Sequence, residues 1–229
     1  FRTECVREAV EGWGRRLGEL GAVSARGGLL PSLAGGTYRV NEAMCAFLEA
    51  APRGEHASNL GALIAWELAE EARQEGEGGE GCGAYVTDPV SVDELEPLAR
   101  LSGFPPIERE SLFHALNIRA VARRHAEGLG KRLEEMDLVV CHLGTGISAA
   151  ALRKGVAVDV INPRDEGPFA MDRAGAMPAV GLLSYLQRTG VSVGELKRDL
   201  FSVGGVYAYL GTRDLREVER RMGTRGGEA

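Results

Sequence analysis

Residues 139–148 read VVCHLGTGIS, and the interpretation of the whole chain begins from this stretch. An apolar run ends at His142, a glycine turn with two hydroxyl side chains follows, and a second run begins. Gly144 and Gly146 have no Cβ, so backbone N–H groups can converge there on an oxyanion. From this stretch alone two interpretations stay open, an ordinary hairpin with a packed histidine or a cradle for phosphate.

The sequence after the turn favours a hairpin over the phosphate loops that open a helix. Thr145 and Ser148 add hydroxyl donors to the turn, and the segments ISAAALRKG and VAVDVIN that follow read as short strands. The chain has no GxxxxGK[ST] motif and no GxGxxG that opens a helix after a strand. The turn is therefore predicted to join the first two strands of a three-stranded antiparallel meander.

Helical and strand patterns alternate through the rest of the chain, which predicts an α/β protein of two lobes. Further strands are predicted in GAVSARGG, GGTYRV and AYVTDPV. The first predicted helices cover 3–20, a segment capped by Asn41 and a segment capped by Ser58 or Asn59, whose apolar stripe is Leu60, Leu63, Ile64 and Leu68. A helical region is predicted over 92–136. The last three helices are predicted over 179–189, 192–200 and 212–222, the last capped by Thr212. The break near 88–105 divides the chain into 1–90 and 91–229, and the Glu/Gly-rich stretch 70–83 is predicted to be a flexible surface loop.

Composition excludes several classes of protein. The chain has 229 residues, 44% of them hydrophobic, and 27 basic against 33 acidic side chains give a net charge of −6. That balance disfavours a general nucleic-acid binder, and no apolar run approaches the roughly 20 residues of a membrane helix. Cys5, Cys45, Cys82 and Cys141 are scattered, without zinc or CxxC spacing. We expect reduced thiols in a cytoplasmic protein.

Three charged residues end strands or lie in loops where a ligand can approach. Arg26 follows a strand and precedes two glycines, and arginine suits bidentate contact with carboxylate or phosphate. Asp88 also ends a strand, where it is placed for a cleft or for capping the next turn. Arg173 lies in the glycine- and proline-rich segment GPFAMDRAGAMP. Each is a candidate: spacing alone favours a surface role for Arg26, Asp88 can equally cap a turn, and loops like that around Arg173 carry function more often than cores do.

The three histidines outside the hairpin differ in their surroundings. His114, in LFHALN, would share a helix face with polar side chains, unlike a core seam. His56, in GEHASN, precedes a helix cap and can belong to the cap network. His125 lies in the basic run RRHAEG and is predicted to be solvated. No Ser-His-Asp spacing is readable from these positions.

Several long segments, in order along the chain, resemble the butyrate kinases of the acetokinase family. They are ARGGLLPSLAGGTYRVNEAM, GEHASNLGALIAWELA, VTDPVSVDELEPLARLSGFPPIERESLFHALNIRAVARR, HLGTGIS and GPFAMDRAGAMP. The resemblance implies a two-lobed, actin-like fold built on ribonuclease-H-like lobes, present here in part, with nucleotide in the cleft. It implies reversible, ATP-dependent phosphorylation of a short-chain fatty acid such as butyrate to an acyl phosphate. An acetate or propionate kinase is the nearest alternative, and GEHASN and LFHALN favour butyrate.

The resemblance also implies a role for each candidate residue. The hairpin would hold nucleotide phosphate through His142, Gly144, Thr145, Gly146 and Ser148. The first lobe, 1–90, would carry the acid substrate, with Arg26 and His56 as its binding residues, and the second lobe would carry the nucleotide phosphates.

The remaining implied roles concern the reaction itself. Asp88 would be an acid/base or a group that organises Mg²⁺, and His114 and Arg173 would stabilise the transferring phosphoryl group. ATP and Mg²⁺ are the implied cosubstrate and cofactor, and a homo-oligomer, a dimer or higher, is the implied assembly, with neither nucleic acid nor membrane as partner.

Three departures from the family pattern accompany the resemblance. The family's turn more often has glycine at the position of Thr145, which is tolerable if the φ of Thr145 is negative. The loop before Gly167 is one residue short, which could displace Arg173. The family's opening phosphate loop and closing adenosine motif are both missing, so we expect a fragment that lacks kinase activity by itself. A non-catalytic remnant that only binds a partner is the alternative from another class.

Overall fold

The computed structural model describes residues 1–76 and 81–223. Its helices are α1 (Arg2–Gly12), α2 (Glu42–Ala50), α3 (Asn59–Glu75), α4 (Ala115–Gly128), α5 (Ala179–Thr189), α6 (Val193–Ser202), α7 (Gly205–Leu210) and α8 (Leu215–Met222). Its strands are β1 (Ala22–Arg26), β2 (Thr37–Arg39), β3 (Gly83–Thr87), β4 (Asp137–Leu143), β5 (Ile147–Arg153) and β6 (Val156–Ile161). Single 3-10 turns lie at Leu17–Glu19, Pro97–Arg100 and Leu133–Glu135. The predicted α/β class is confirmed.

The first sheet has the strand order β1-β3-β2 and contains a parallel pair. β1 and β3 run parallel, with Ala22 opposite Gly83 and Arg26 opposite Thr87, whereas β2 is antiparallel to β3. The carboxyl ends of parallel strands meet at one edge of a sheet, which is where α/β proteins bind ligands. Arg26 and the residue after Thr87, which is Asp88, therefore lie at the same edge.

The second sheet is the predicted meander, with the order β4-β5-β6 and antiparallel pairing throughout. His142 on β4 lies directly opposite Ser148 on β5, so both side chains point to the same face of the sheet. That face packs against α4, and its buried side chains include Ala150, Leu152 and Val160. Helix α4 thus supports the hairpin from the buried face of the sheet.

Helix α3 covers the first sheet through small side chains, and here the predicted leucine stripe is wrong in part. Leu68 is buried as expected, but Leu60 is 37% exposed, and four alanines of α3 are buried instead. The helix approaches β1 so closely that a Cβ at Gly61 would lie 2.4 Å from the carbonyl oxygen of Arg26. Alanines fit this spacing and larger side chains do not.

The capping predictions have mixed outcomes. Asn41 caps α2, since its side chain accepts the N–H of Met44 at 2.9 Å. Ser58 occupies the cap position of α3 without a side-chain cap bond. The side chain of Asp214, not that of Thr212, accepts an N–H of α8, and Thr212 accepts the N–H of Asp214 instead.

Two of the predicted helical regions are shorter than expected. The helix predicted over 3–20 ends at Gly12, before Gly14 in a left-handed conformation with φ of +70°. The region 92–136 is helical only in α4 and two 3-10 turns. Its first part contains three prolines, and its backbone bonds to other segments, as between Glu96 N and Val158 O at 3.0 Å.

The last part of the chain is helical, as predicted, with one helix more than expected. α5 matches its predicted bounds, α6 begins at a Ser192–Glu195 capping box, and the short α7 was not predicted. Within 70–83, α3 continues to Glu75, which corrects the loop expectation there, and 77–80 lie outside the described residues.

Candidate active site

Two histidines from different elements stack at the hairpin. His142 comes from the end of β4 and His114 directly precedes α4. Their ring centroids are 3.8 Å apart and the planes differ by 9°. The face of His142 is therefore covered by a second imidazole, and His114 belongs to the site although its sequence position precedes the hairpin by 28 residues. The expectation that His114 lies within a helix is wrong, because it occupies the residue before the first turn.

Buried Ser148 orients His114. The Ser148 hydroxyl oxygen accepts the backbone N–H of His114 at 3.2 Å and lies 2.8 Å from the Nδ1 atom of the ring. Since the oxygen already accepts one proton, its own hydrogen can point to Nδ1. This arrangement leaves Nε2 as the protonated nitrogen of a neutral imidazole, available as a donor.

The electrostatic surroundings keep these histidines neutral. The pKa of His114 is lowered to about 4, first by burial and then by the nearby His142, Arg173 and Arg26. Burial and Arg26 also lower the pKa of His142. At neutral pH the two rings therefore contribute hydrogen-bond donors to the site, and its positive charge comes from the arginines.

His56 lies in the same field of charge. Its pKa is lowered by burial and then by Arg173 and Arg26. Its Nδ1 atom accepts the N–H of Ser58 at 3.1 Å and lies 2.6 Å from the Ser58 hydroxyl. His56 is thus held by the loop before α3, as the sequence suggested, and is close enough to both arginines to be affected by them.

Arg26 and Arg173 form no ion pair with any carboxylate that the structure describes, and neither guanidinium is hydrogen-bonded there. Arg26 is exposed and Arg173 half-buried. Most of the other arginines in the same part of the chain lie within 4 Å of an acidic oxygen, for example Arg109 and Glu166 at 2.8 Å. Two unpaired guanidinium groups near two neutral histidines make a place where an anion would be stabilised.

The glycines of the turn are needed for space. A Cβ on Gly146 would lie 2.8 Å from Nη1 of Arg173, and a Cβ on Gly144 would lie 2.9 Å from Nε2 of His142. Neither glycine has a positive φ, and Thr145 has none either, so the turn tolerates threonine without strain. The N–H of Gly144 donates to the carbonyl of Gly146 at 3.3 Å, so this donor is used within the turn.

The loop before Gly167 brings Arg173 to the hairpin. The carbonyl of Asn162 accepts the N–H groups of 165, 166 and 167, which closes the loop tightly. Gly175 adopts φ of +66° and packs on the chain at Pro168, where a side chain would collide. Together these contacts fold 162–176 back on itself and place the Arg173 guanidinium beside Gly146.

Asp88 is buried at the edge of the first sheet with a left-handed backbone, φ +41°. Its Oδ1 accepts the N–H of Gly36 at 2.9 Å, and its Oδ2 accepts a hydrogen bond from Arg123 at 3.2 Å. Nε of Arg119 lies 3.4 Å from Oδ1, within ion-pair distance but without hydrogen-bond geometry. A strained backbone at a residue that nearby groups over-determine is typical of functional sites.

Two cavities adjoin these residues. The cleft cavity has a volume of about 460 Å³ and is lined by Arg26, Gly27, Asp88, Val90, His114, Ala115, Leu116, Asn117, Ala120, Val121, Arg124 and His142. The hairpin cavity has a volume of about 770 Å³ and is lined by Leu143, Gly144, Ile147, Met171, Thr212, Arg213, Asp214, Leu215 and Arg216. They adjoin β4 at consecutive residues, His142 and Leu143.

The structure therefore brings most of the predicted residues to one place. Arg26, Asp88, His114 and His142 line a single cavity, and Gly146 and Ser148 contact members of that group. Thr145 is exposed at the tip of the turn and has no side-chain hydrogen bond. Sequence reasoning missed the two arginines behind Asp88, although the spacing of 119 and 123 on one helix face could have indicated a pair.

The part of the chain that the structure describes contains neither a metal-ligating cluster nor a membrane-spanning helix. Among residues 1–76 and 81–223, no group of three or more His, Cys, Asp or Glu side chains could hold a metal ion. In the same residues no helix is both long and apolar enough to cross a membrane.

Two probable butyrate kinases are similar in sequence to this chain over most of its length. A probable butyrate kinase of Listeria innocua serovar 6a is 43% identical over 223 residues, which are 97% of this chain and 61% of that protein. Probable butyrate kinase 1 of Thermotoga maritima is 41% identical over 98% of this chain and 60% of its own length. The chain thus spans about 60% of the length of these relatives.

Solved structures share the fold at lower sequence identity. An acetate kinase of Porphyromonas gingivalis superposes with a TM-score of 0.72 at 21% identity, over 91% of this chain and 53% of that one. A propionate kinase of Francisella tularensis gives 0.73 at 18% identity, over 97% and 58%. The two-lobed fold that the resemblance implied is thus present in part.

The model of the acetokinase family matches residues 108–229, more than half of the chain. The matched region contains His114, the hairpin and Arg173, and the fold around them is that of the family. The chain belongs to the acetokinase family.

Proposed function

We propose that this chain is part of a carboxylate kinase that transfers the γ-phosphoryl group of ATP to a short-chain fatty acid. The relatives named as probable butyrate kinases support butyrate as the acid. The observation that carries the proposal is the pair of unpaired guanidinium groups, Arg26 and Arg173, which meet the neutral His114 and His142 beside the hairpin.

Phosphoryl transfer suits this set of residues. A carboxylate oxygen of the acid attacks the γ-phosphorus of ATP, the bond to the β-phosphate oxygen breaks, and ADP leaves with that electron pair. The reaction needs alignment and stabilisation of charge on the equatorial oxygens more than a covalent nucleophile. Arg173 and the Nε2–H of His114 supply that stabilisation, and Arg26 aligns the acid.

Each residue has a distinct place in this scheme. Arg26, at the end of β1, holds the carboxylate of the acid through its planar fork. Arg173, beside Gly146, meets the charge of the transferring group, and His114 donates to the same oxygens. His56 lies close enough to both arginines to confine the acid from the side of α3.

The nucleotide is proposed to lie along the hairpin. His142 and the turn from Gly144 to Ser148 face the phosphates, and Ser148 acts through His114, since its hydroxyl is used there. The adjoining hairpin cavity, with apolar Leu143 and Ile147 on one wall, has room for the nucleoside. Thr145, exposed at the tip, is proposed as a phosphate contact made only when ATP is bound.

Mg²⁺ fits this chain poorly as a directly bound ion. Both oxygens of Asp88 are engaged, by Gly36, Arg123 and Arg119, and no cluster of acidic ligands exists among the described residues. Mg²⁺ in kinases is held largely by the substrate phosphates. We therefore propose an indirect role for Asp88, with ATP and Mg²⁺ as the cosubstrate and its metal ion.

One face of the second sheet supports association with further protein. Val139 and Leu143 on the outer face of β4 are 77% and 78% exposed. Apolar strand faces of this kind are usually covered in a complete or oligomeric protein. A homo-oligomer in the cytoplasm remains our proposal, and a partner-binding remnant without catalysis is the competing one.

The test is formation of acyl phosphate. The protein expressed from its complete reading frame is incubated with MgATP and butyrate, propionate or acetate, and the acyl phosphate is trapped as the hydroxamate. We expect turnover of all three, with the highest kcat/KM for butyrate. Absence of turnover with every acid, in a folded protein that still binds ATP, would favour the non-catalytic alternative.

A further inference from the structure

We propose that Arg119 is a positioning residue for Asp88 and that Glu94 holds Arg119 in that role. The inference rests on the proposed function only in its kinetic part. The geometric part concerns four side chains, Asp88, Glu94, Arg119 and Arg123, which we call the clamp. They lie behind the cleft cavity and, apart from Asp88, none of them was a predicted site residue.

Arg119 lies between two carboxylates. Its Nη1 donates to Oε2 of Glu94 at 2.9 Å, and its Nε lies 3.4 Å from Oδ1 of Asp88. The side chains of Arg119 and Glu94 are 11% and 12% exposed, and that of Asp88 is fully buried. With Arg123 the charges of the clamp sum to zero, two negative and two positive. Loss of any one member leaves an uncompensated charge in a buried place.

The clamp connects the two sheets. Glu94 accepts the N–H of Gly35 at 2.7 Å through one oxygen and the N–H of Ala157 on β6 at 2.8 Å through the other. Gly35 belongs to the segment before β2, and the next residue, Gly36, donates to Asp88. Arg119 lies on α4, which packs under the second sheet. The carboxylate that reaches the cleft is thus fixed from both sheets at once.

The chain is built to admit Arg119. A Cβ on Gly35 would lie 2.1 Å from Nη1 of Arg119, so any other residue there would displace the guanidinium. Arg119 Nε is the single buried side-chain nitrogen or oxygen without a hydrogen bond among the described residues. An arginine held this tightly, at the cost of one unsatisfied donor, is consistent with a role in orienting Asp88.

This arrangement predicts a functional division among the arginines. Arg26 and Arg173 contact substrate, whereas Arg119 contacts only protein and acts through Asp88. Removing Arg119 frees the Asp88 carboxylate to turn away from its bond with Gly36. The rate of phosphoryl transfer falls, while the binding of ATP and acid, which other residues provide, is retained.

The first measurement is independent of activity. Amide hydrogen exchange is followed by NMR in the protein from the complete reading frame for Arg119→Met, Arg119→Lys and Glu94→Gln. We expect Arg119→Met to raise the exchange rate of the Gly36 amide about tenfold or more, because local opening becomes easier. Glu94→Gln should produce a similar change at Gly36, and Arg119→Lys a smaller one.

The matched control is Arg153→Met. Arg153 on β5 pairs with Glu96, so this variant also removes an arginine–glutamate pair that joins the segment after β3 to the second sheet. Its members are 57% and 47% exposed, and exposed pairs contribute little. We expect Gly36 exchange in this control to match the wild type.

The second measurement is kinetic and uses the protein from the complete reading frame. We expect kcat to fall tenfold to a hundredfold in Arg119→Met, with KM values for ATP and butyrate within about twofold, and partial recovery in Arg119→Lys. Unchanged Gly36 exchange in both Arg119→Met and Glu94→Gln would overturn the proposal. So would faster exchange with an unchanged kcat, since the clamp would then be only structural.

The outcomes also separate this proposal from the proposed function. If the wild-type protein forms no acyl phosphate, the proposed function fails, and the exchange data alone decide whether Arg119 and Glu94 fix Asp88. If Arg119→Met does not fold, Arg119→Lys and Glu94→Gln decide by the same two criteria.

Discussion

Two pairs of arginines near the site, Arg26 with Arg173 and Arg119 with Arg123, differ in their partners. Arg26 and Arg173 have no carboxylate within ion-pair distance among the described residues, whereas Arg119 and Arg123 both contact buried Asp88. Unpaired cations beside neutral histidines are available to an anionic ligand, and paired cations are already neutralised. The comparison supports our proposal that Arg26 and Arg173 bind substrate, whereas Arg119 and Arg123 position protein groups.

The largest expected effect is that of Arg173→Ala. If Arg173 meets charge that develops during transfer, the loss of one such donor costs about a hundredfold or more in kcat. The KM for ATP should change much less, since ground-state binding uses the hairpin as well. Steady-state kinetics with butyrate measure both. An effect confined to KM would assign Arg173 to ground-state binding and weaken the comparison.

Arg26→Lys comes next. A lysine keeps the charge but not the planar fork, so bidentate contact with the carboxylate is lost. A charge-assisted pair contributes about 1.5–3 kcal/mol, and kcat/KM for butyrate should fall tenfold to a hundredfold. If kcat/KM for butyrate is unaltered, Arg26 does not bind the acid.

Gly146→Ala sharpens the comparison without touching an arginine. The new Cβ would lie 2.8 Å from Nη1 of Arg173, so the guanidinium must move. We expect kcat to fall about tenfold, because small displacements of a catalytic group are costly. Gly128→Ala, at a glycine with open space around its Cβ position, is the control and should behave as wild type. Equal activity of the two variants would remove Arg173 from the transfer step.

The smallest effect expected is on the pH dependence of stability. His114 has a pKa lowered from 6.5 to about 4 in the folded chain, so the unfolded chain takes up its proton at higher pH. Stability should therefore decline as pH falls from about 6.5 towards 4, and His114→Gln should reduce this decline. Urea unfolding at a series of pH values measures it. An identical pH dependence in wild type and variant would mean that His114 is not held neutral.

Much of the fold was predictable because it depends on local patterns. The meander follows from short apolar runs and a glycine turn, and α2 from its Asn41 cap. The irregular path through 92–114 was not predictable. Its conformation is fixed by hydrogen bonds to distant segments, such as the bond from Phe113 N to Val90 O. The alanine-lined face of α3 was missed for the same reason, because the close approach at Gly61 is a tertiary fact.

The site divides in a similar way. Arg26, Asp88, Arg173 and the hairpin could be proposed from strand ends, a loop and glycines, and His56 and His114 from their surroundings; the family resemblance gave each a role. The neutral state of His114 could not be predicted from the sequence, because it depends on burial and on charges from three other segments. The spacing of 119 and 123 on one helix face could have indicated a pair, but Glu94 gave no signal, since an ordinary loop position becomes part of a buried ion pair only through folding.

The most direct test is an NMR titration of the arginine side chains. Nε–Hε signals of Arg26, Arg173, Arg119 and Arg123 are followed in the protein from the complete reading frame while butyryl phosphate is added. The account predicts that the signals of Arg26 and Arg173 move with one common dissociation constant, while those of Arg119 and Arg123 stay in place. Movement of Arg119 and Arg123 with no change at Arg26 and Arg173 would contradict it.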